Sequence, residues 1–175
     1  MTGFTVTRRI EIDAGHRIRE HGSKCRHLHG HRYVIEATCG SAALHASGEQ
    51  RGMVLDFGFL KEEMLRLIDE PCDHGFLVAV DDEALLAMLA PADLDPANWL
   101  RGIRQRVSRD GFCETGENRL DTKLYIIDGS PTAEVLARHW FERLAPAVRQ
   151  RSGGIAELTE LAVYETPNCV ARYRP

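Results

Sequence analysis

The chain has no run of about 18 apolar residues, the length a bilayer-spanning helix needs, and its polar start from Met1 to Arg9 lacks the charged and apolar regions of a secretory signal. A cytoplasmic protein with no membrane partner is therefore expected. Basic charge is not in excess either, since 22 Lys and Arg against 26 Asp and Glu leave a formal net charge of -4. Coating nucleic acid requires a concentrated surplus of Lys and Arg, so a nucleic-acid partner is not expected and a small molecule or a protein is. Cysteine is scattered and unpatterned. Cys25, Cys39, Cys72, Cys113 and Cys169 are odd in number and never spaced as C-x-x-C, which argues against a disulfide framework and against a thiolate zinc site. Internal repeats and low-complexity tracts are also missing.

What is present suits one compact domain: 175 residues, 43% hydrophobic and 27% charged. Phe4, Val6, Ile10 and Ile12 alternate with Thr5, Thr7, Arg9 and Glu11, a period of two that predicts a half-buried strand interrupted only by Arg8. A second strand is predicted from about His31 to Cys39, with Tyr33, Ile35 and Ala37 on one face. Asp56 is a good N-cap for a helix carrying Phe57, Leu60, Met64, Leu67 and Ile68, with Pro71 at its end. Another helix opens at Ser130-Pro131-Thr132 and carries Leu136, Trp140, Leu144 and Val148 at four-residue steps, closing at Gly153-Gly154. The tail reads as a hairpin, Leu158 to Thr166 and Cys169 to Tyr173. Strands grouped at both ends around two amphipathic helices predict an α+β domain with a four-stranded antiparallel sheet. Val78 to Gly129 reads as an insertion, partly helical, with turns at Pro91 and Pro96 and an Arg-rich, irregular remainder. Four strands leave open edges, which makes self-association an expectation.

The densest chemistry lies in Cys25-Arg26-His27-Leu28-His29-Gly30-His31. Strand alternation puts the imidazoles of His29 and His31 on one face, and Gly30 lets the backbone pass closely between them. His16, at the end of the first strand, is placed to join them if the two strands pair. Three neutral histidines leave one tetrahedral position open, the pattern of a catalytic zinc. The bland alternative is a loop rich in surface histidines, because five of the eight histidines fall between residues 16 and 31. His21 and His27 compete as ligands but belong to the loop rather than the strand face.

Cys25, four residues before His29, can face the same pocket without ligating, and Lys24 and Arg26 favour its thiolate as a base or nucleophile. Cys39 and Cys169 fall in strand patterns and read as small hydrophobes. Asp73-His74 offers a carboxylate that can orient an imidazole for proton transfer. Glu165 falls on the face of Leu161 and Val163 and is expected to point inward, toward a cationic or amidine-like group or a structural partner.

Taken together these motifs resemble the pterin-forming synthase family that contains 6-pyruvoyltetrahydropterin synthase and the bacterial 6-carboxytetrahydropterin synthase, QueD, of queuosine biosynthesis. Ala14-Gly15-His16 is similar to the family's first zinc histidine. Cys25-x-x-x-His29-Gly30-His31 matches its base and remaining zinc ligands, with the short spacing of the QueD branch. Leu55-Asp56-Phe57, Asp73-His74, Pro131-Thr132-x-Glu134 and Glu165-Thr166 follow in order. The resemblance implies a tunnelling fold, a zinc cofactor, and a homo-oligomer, usually a hexamer, with active sites between subunits. It also implies conversion of 7,8-dihydroneopterin triphosphate to 6-carboxy-5,6,7,8-tetrahydropterin with release of acetaldehyde and triphosphate. In that reading Cys25, Asp73 and His74 are catalytic, and Glu165, Thr132 and Glu134 bind the pterin. Lys24, Arg26 and His27 are candidates for the triphosphate. Two motifs depart from the family pattern, at Leu77-Val78 and at Ser130, and the insertion of about fifty residues departs most. Rival expectations are a pyruvoyl or hydroxymethyl product, a non-catalytic zinc or pterin-binding module, and a histidine-rich metal store.

Overall fold

The computed structural model describes residues 3–175, so Met1 and Thr2 of the polar start lie outside the described residues. In chain order it forms β1 (Phe4–His16), a 3-10 turn at Lys24–Arg26, β2 (His29–Ser41) and α1 (Phe57–Met64). The last helix runs on through a π turn (Leu65–Asp69) into α2 (Glu70–Cys72). There follow β3 (Gly75–Ala79), α3 (Glu83–Leu89), α4 (Pro96–Asp110), β4 (Phe112–Thr115), β5 (Lys123–Ile127), α5 (Ala133–Arg151), β6 (Glu157–Thr166) and β7 (Cys169–Tyr173).

The sheet has seven strands, ordered β4-β5-β3-β1-β2-β6-β7, where four antiparallel strands are expected from sequence. The three additional strands come from residues 75–127, and two of the pairings, β1 with β3 and β3 with β5, are parallel. The segment escapes a periodicity reading because its strands are short and buried on most positions, so they lack polar alternation.

The chain divides into two units. The first comprises the residues up to Ile12, Arg32–Glu70 and Ala133–Pro175. Its core is built as the periodicities require: Tyr33, Ile35, Ala37 and Cys39 are fully buried along β2, and Leu136, Trp140, Leu144 and Val148 along α5. Asp56 caps α1 by accepting from the amides of Gly58 and Phe59 at 2.6 and 3.2 Å. Gln50 accepts from the Asp56 amide at 2.9 Å and donates to the Arg151 carbonyl at 3.2 Å, tying the start of α1 to the end of α5. In the π turn the Leu67 carbonyl is met by the Arg143 guanidinium at 3.0 Å. Burial pushes the Cys39 thiol up to about 12, consistent with an inert, packed cysteine.

The second unit comprises Asp13–His31 and Pro71–Thr132. Pro96 begins a helix here rather than a turn. Asp95 accepts from the Asn98 amide at 3.0 Å, Pro96 occupies the first turn where its missing N–H costs nothing, and Gly111 (φ 81°) ends the helix in the left-handed conformation. Leu85, Leu86, Trp99, Leu100, Ile103 and Val107 of α3 and α4 pack with Val78, Leu124 and Ile126 of β3 and β5 into a continuous core. Each such side chain contributes about 1.5–3 kcal/mol on burial, so the segment carries its own stabilising core.

Candidate metal centre

β1 ends at His16, and the chain returns through the Arg17–Leu28 loop into β2 at His29. Gly30 passes so close to β1 that a Cβ there would lie 3.1 Å from the Ala14 carbonyl oxygen. At Gly15 the Phe76 ring of β3 takes the space of a side chain, a Cβ meeting it at 2.5 Å. These two close approaches bring His16, His29 and His31 together, with ligand atoms all within 4.8 Å of one another and ring centroids 4.5 to 5.1 Å apart. His16 is 1% exposed; the other two are half-buried.

The hydrogen bonds of two of these rings fix which nitrogen points inward. His16 donates its Nδ1 hydrogen to the Pro131 carbonyl at 2.8 Å, and His29 donates its own to the His27 carbonyl at 2.8 Å. Carbonyl oxygens only accept, so each Nδ1 carries a hydrogen and each ring, in its neutral form, directs an Nε2 lone pair inward. The two Nε2 atoms face one another at 3.1 Å. Burial, then the neighbouring His29 and His31, hold His16 down to about 4 against the raising effect of the Pro131 bond, so it is neutral at physiological pH. Facing lone pairs repel; a cation held among three imidazole nitrogens removes that repulsion. Three imidazole nitrogens brought together in this way suit a divalent transition metal.

Asp73 and His74 form a separate, supported pair. Asp73 accepts from the Asp13 amide at 2.8 Å and from His74 Nδ1 at 2.7 Å, the His74 amide donates to the Asp13 carbonyl at 2.7 Å, and Lys123 donates to the Asp73 carbonyl at 2.8 Å. Burial opposes ionisation of Asp73, but the Asp13 amide and His74 outweigh it and the carboxyl lies below its ordinary value. His74 adopts a left-handed backbone (φ 56°), rare for a non-glycine residue, and its side chain is 79% exposed. The parallel register sets Gly75 opposite Ala14 and Leu77 opposite His16, so His74 stands three residues, on the order of 10 Å, before the level of His16.

Cys25 lies half-buried in the 3-10 turn of the same loop, its carbonyl accepting from the Ile18 amide at 2.7 Å. Thr132 follows Pro131 in a turn closed by its amide on the Ser130 carbonyl at 2.8 Å. Glu134, in the first turn of α5, is exposed, and Glu165 lies in β6; both belong to the first unit. The β6–β7 register shifts between Tyr164 and Thr166, so Glu165 sits at a bulge and is half-buried rather than continuing the alternation of Leu161 and Val163. A cleft of about 420 Å³ on this side is lined by Arg9, Glu11, Arg32, Glu36, Tyr164 and Thr166, among others.

Sequence reasoning missed Arg17. Its guanidinium makes two bonds, at 2.6 and 2.5 Å, to the carboxylate of Asp82, which is 2% exposed. Its position beside His16 was the only signal available, because its partner is 65 residues away.

The model of the 6-pyruvoyl tetrahydropterin synthase family matches residues 5–175. The chain belongs to this family. A 6-carboxy-5,6,7,8-tetrahydropterin synthase of Rickettsia conorii is 34% identical over 163 residues, 93% of this chain and 94% of its own length. One from Haemophilus influenzae is 25% identical over 171 residues, covering 98% and 99%. Among solved structures, an uncharacterized protein from Wolinella succinogenes superposes with a TM-score of 0.72 at 22% identity, covering 99% of both chains. The 6-pyruvoyl tetrahydropterin synthase of Caenorhabditis elegans superposes at 0.59 with 21% identity, covering 100% of this chain and 97% of its own. The architecture is thus the α+β tunnelling fold of the family, with seven strands in its sheet rather than the four expected from sequence. The match to the Rickettsia relative leaves few residues of this chain uncovered, so most of residues 78–129 has a counterpart there.

Proposed function

We propose that the protein is a zinc-dependent 6-carboxy-5,6,7,8-tetrahydropterin synthase acting on 7,8-dihydroneopterin triphosphate, serving queuosine biosynthesis in the cytoplasm. The observation that carries this reading is the inward-facing triad of His16, His29 and His31, in a family whose relatives of near-equal length bear that synthase name. Those three side chains would hold the zinc, which supplies Lewis acidity toward the oxygens of the pterin side chain.

Cys25 takes and returns a proton at the activated side-chain carbons. Asp73 orients His74, which moves the second proton needed for elimination and carbon-carbon cleavage. Because the register sets His74 on the order of 10 Å from the level of His16 and its ring is largely exposed, the pair serves the metal centre of a second copy in a homo-oligomer, a hexamer in this reading. Glu165 pairs with the amino-pyrimidine edge of the pterin, assisted by Thr132 and Glu134. Lys24, Arg26 and His27 meet the triphosphate.

The test is incubation of the zinc-loaded protein with 7,8-dihydroneopterin triphosphate, with Cys25→Ala in parallel, followed by mass analysis of the pterin and an acetaldehyde assay. A carboxytetrahydropterin with acetaldehyde, absent in the variant, is expected. A pyruvoyl or hydroxymethyl product would move the activity within the family. No turnover with zinc bound would instead assign a binding module.

A further inference from the structure

His16 is the most buried of the three histidines, and it is oriented differently from His29. His29 is oriented from its own loop, by the His27 carbonyl two residues away. His16 is oriented from a distance, by the carbonyl of Pro131, 115 residues on. The residue after it, Arg17, is clamped by Asp82 through two charge-assisted bonds in fork geometry, while Asp82 Oδ1 also accepts from the Leu85 amide at 3.3 Å and so caps α3. Two residues further, Arg19 donates to the Asp81 carbonyl at 2.8 Å. The strand end that presents His16 is therefore gripped at the entry to the α3–α4 segment by Asp81 and Asp82, and just beyond its exit by Pro131.

We infer that Arg17 and Asp82 are positioning residues for the metal centre, and that the segment between β3 and β5 serves to hold His16 in its metal-binding orientation. This rests on the metal reading above. The physical basis is that an imidazole ligand loses affinity when its ring is not pre-oriented, and that a bidentate pair with a buried carboxylate holds a backbone more rigidly than a solvent-exposed contact does. Arg17 spends its guanidinium on Asp82 and acts on His16 through the backbone of its neighbour.

The test compares the intact wild-type protein with Asp82→Asn, which retains a capping side chain, with Arg17→Met and Arg17→Lys, and with Ile103→Ala, which loosens the core of the segment without touching the pair. Zinc affinity is measured by competition with a chromophoric chelator, and the visible spectrum of the cobalt(II)-loaded protein reports ligand geometry, both alongside thermal unfolding of the metal-free forms. Asp82→Asn and Arg17→Met should weaken zinc about 10- to 100-fold and shift the cobalt bands. Arg17→Lys should recover part of that loss, and Ile103→Ala, at an equal or greater loss of thermal stability, should leave affinity and spectrum near wild type. Wild-type affinity in both Asp82→Asn and Arg17→Met overturns the inference, as does an equal loss in Ile103→Ala, which would reduce the pair to general stability. A wild-type protein that binds no zinc tightly overturns the metal reading itself, and the inference with it.

Discussion

The Nε2 atoms of His16 and His29 face one another at 3.1 Å while the Nδ1 hydrogens of both rings are donated to main-chain carbonyls. Neutral rings so arranged gain from a shared cation, so metal and fold should be coupled. One zinc per chain is expected by elemental analysis, and His16→Ala or His31→Ala should reduce tight binding to near zero. Excess metal at 100 times its dissociation constant should stabilise the wild type by about 2.7 kcal/mol, seen as a fall in Tm on adding a chelator. Several weak metals per chain would indicate a histidine-rich store instead.

The proton-transfer pair should act in trans. Cys25→Ala and His74→Ala are each expected to lose activity by at least a factor of about 100. Co-refolded as mixed oligomers, the two should regain a fraction of wild-type activity, since some sites then combine an intact Cys25 with an intact His74 from a neighbour. A steady-state assay of the mixture against each variant alone checks this. No recovery in demonstrably mixed oligomers would place both groups in one chain's site.

Acid should destabilise the metal-free protein in a defined window. Burial, then Arg143 and Arg138, hold His139 down to about 4, and burial does the same for His16. A histidine whose folded pKa lies below its ordinary 6.5 binds protons more readily when unfolded, so its contribution to stability is full above about pH 6.5 and is lost as pH falls toward 4. Urea midpoints at pH 7, 6 and 5 should fall with a slope of up to about 1.4 kcal/mol per pH unit for each group. His139→Gln should flatten the slope.

Gly15→Ala should damage the metal centre through packing. The new methyl would lie 2.5 Å from the Phe76 ring, forcing either the ring or the strand that carries His16 to move. A loss of about 1–3 kcal/mol in stability is expected from denaturant unfolding, with weaker zinc binding. Phe76→Leu in the same chain should relieve part of it. Additive losses in the double variant would mean that the ring is not the obstacle.

The first unit is largely legible in the sequence, because its signals are local. The alternation of Tyr33, Ile35 and Ala37, the four-residue steps from Leu136 to Val148 and the cap at Asp56 each depend on neighbours within a few residues, and the structure has them as read. The same holds for the three histidines, since strand alternation joins His29 to His31 and only one pairing is then needed to add His16. The segment after Asp73-His74 was harder. Asp95-Pro96 is a start signal and Gly111 a stop signal for α4, but read one at a time they also describe turns.

The sequence by itself thus determined α1, α5, the terminal hairpin and the three histidines that come together, because a short stretch of chain carries most of the information those features need. Tertiary structure alone decided the parallel pairing of β1, β3 and β5, the bulge at Glu165, the tautomer imposed on His16 by Pro131 and the clamp between Arg17 and Asp82. Each of these rests on backbone register or on one or two hydrogen bonds between residues far apart in the chain, and neither leaves a periodic trace along it.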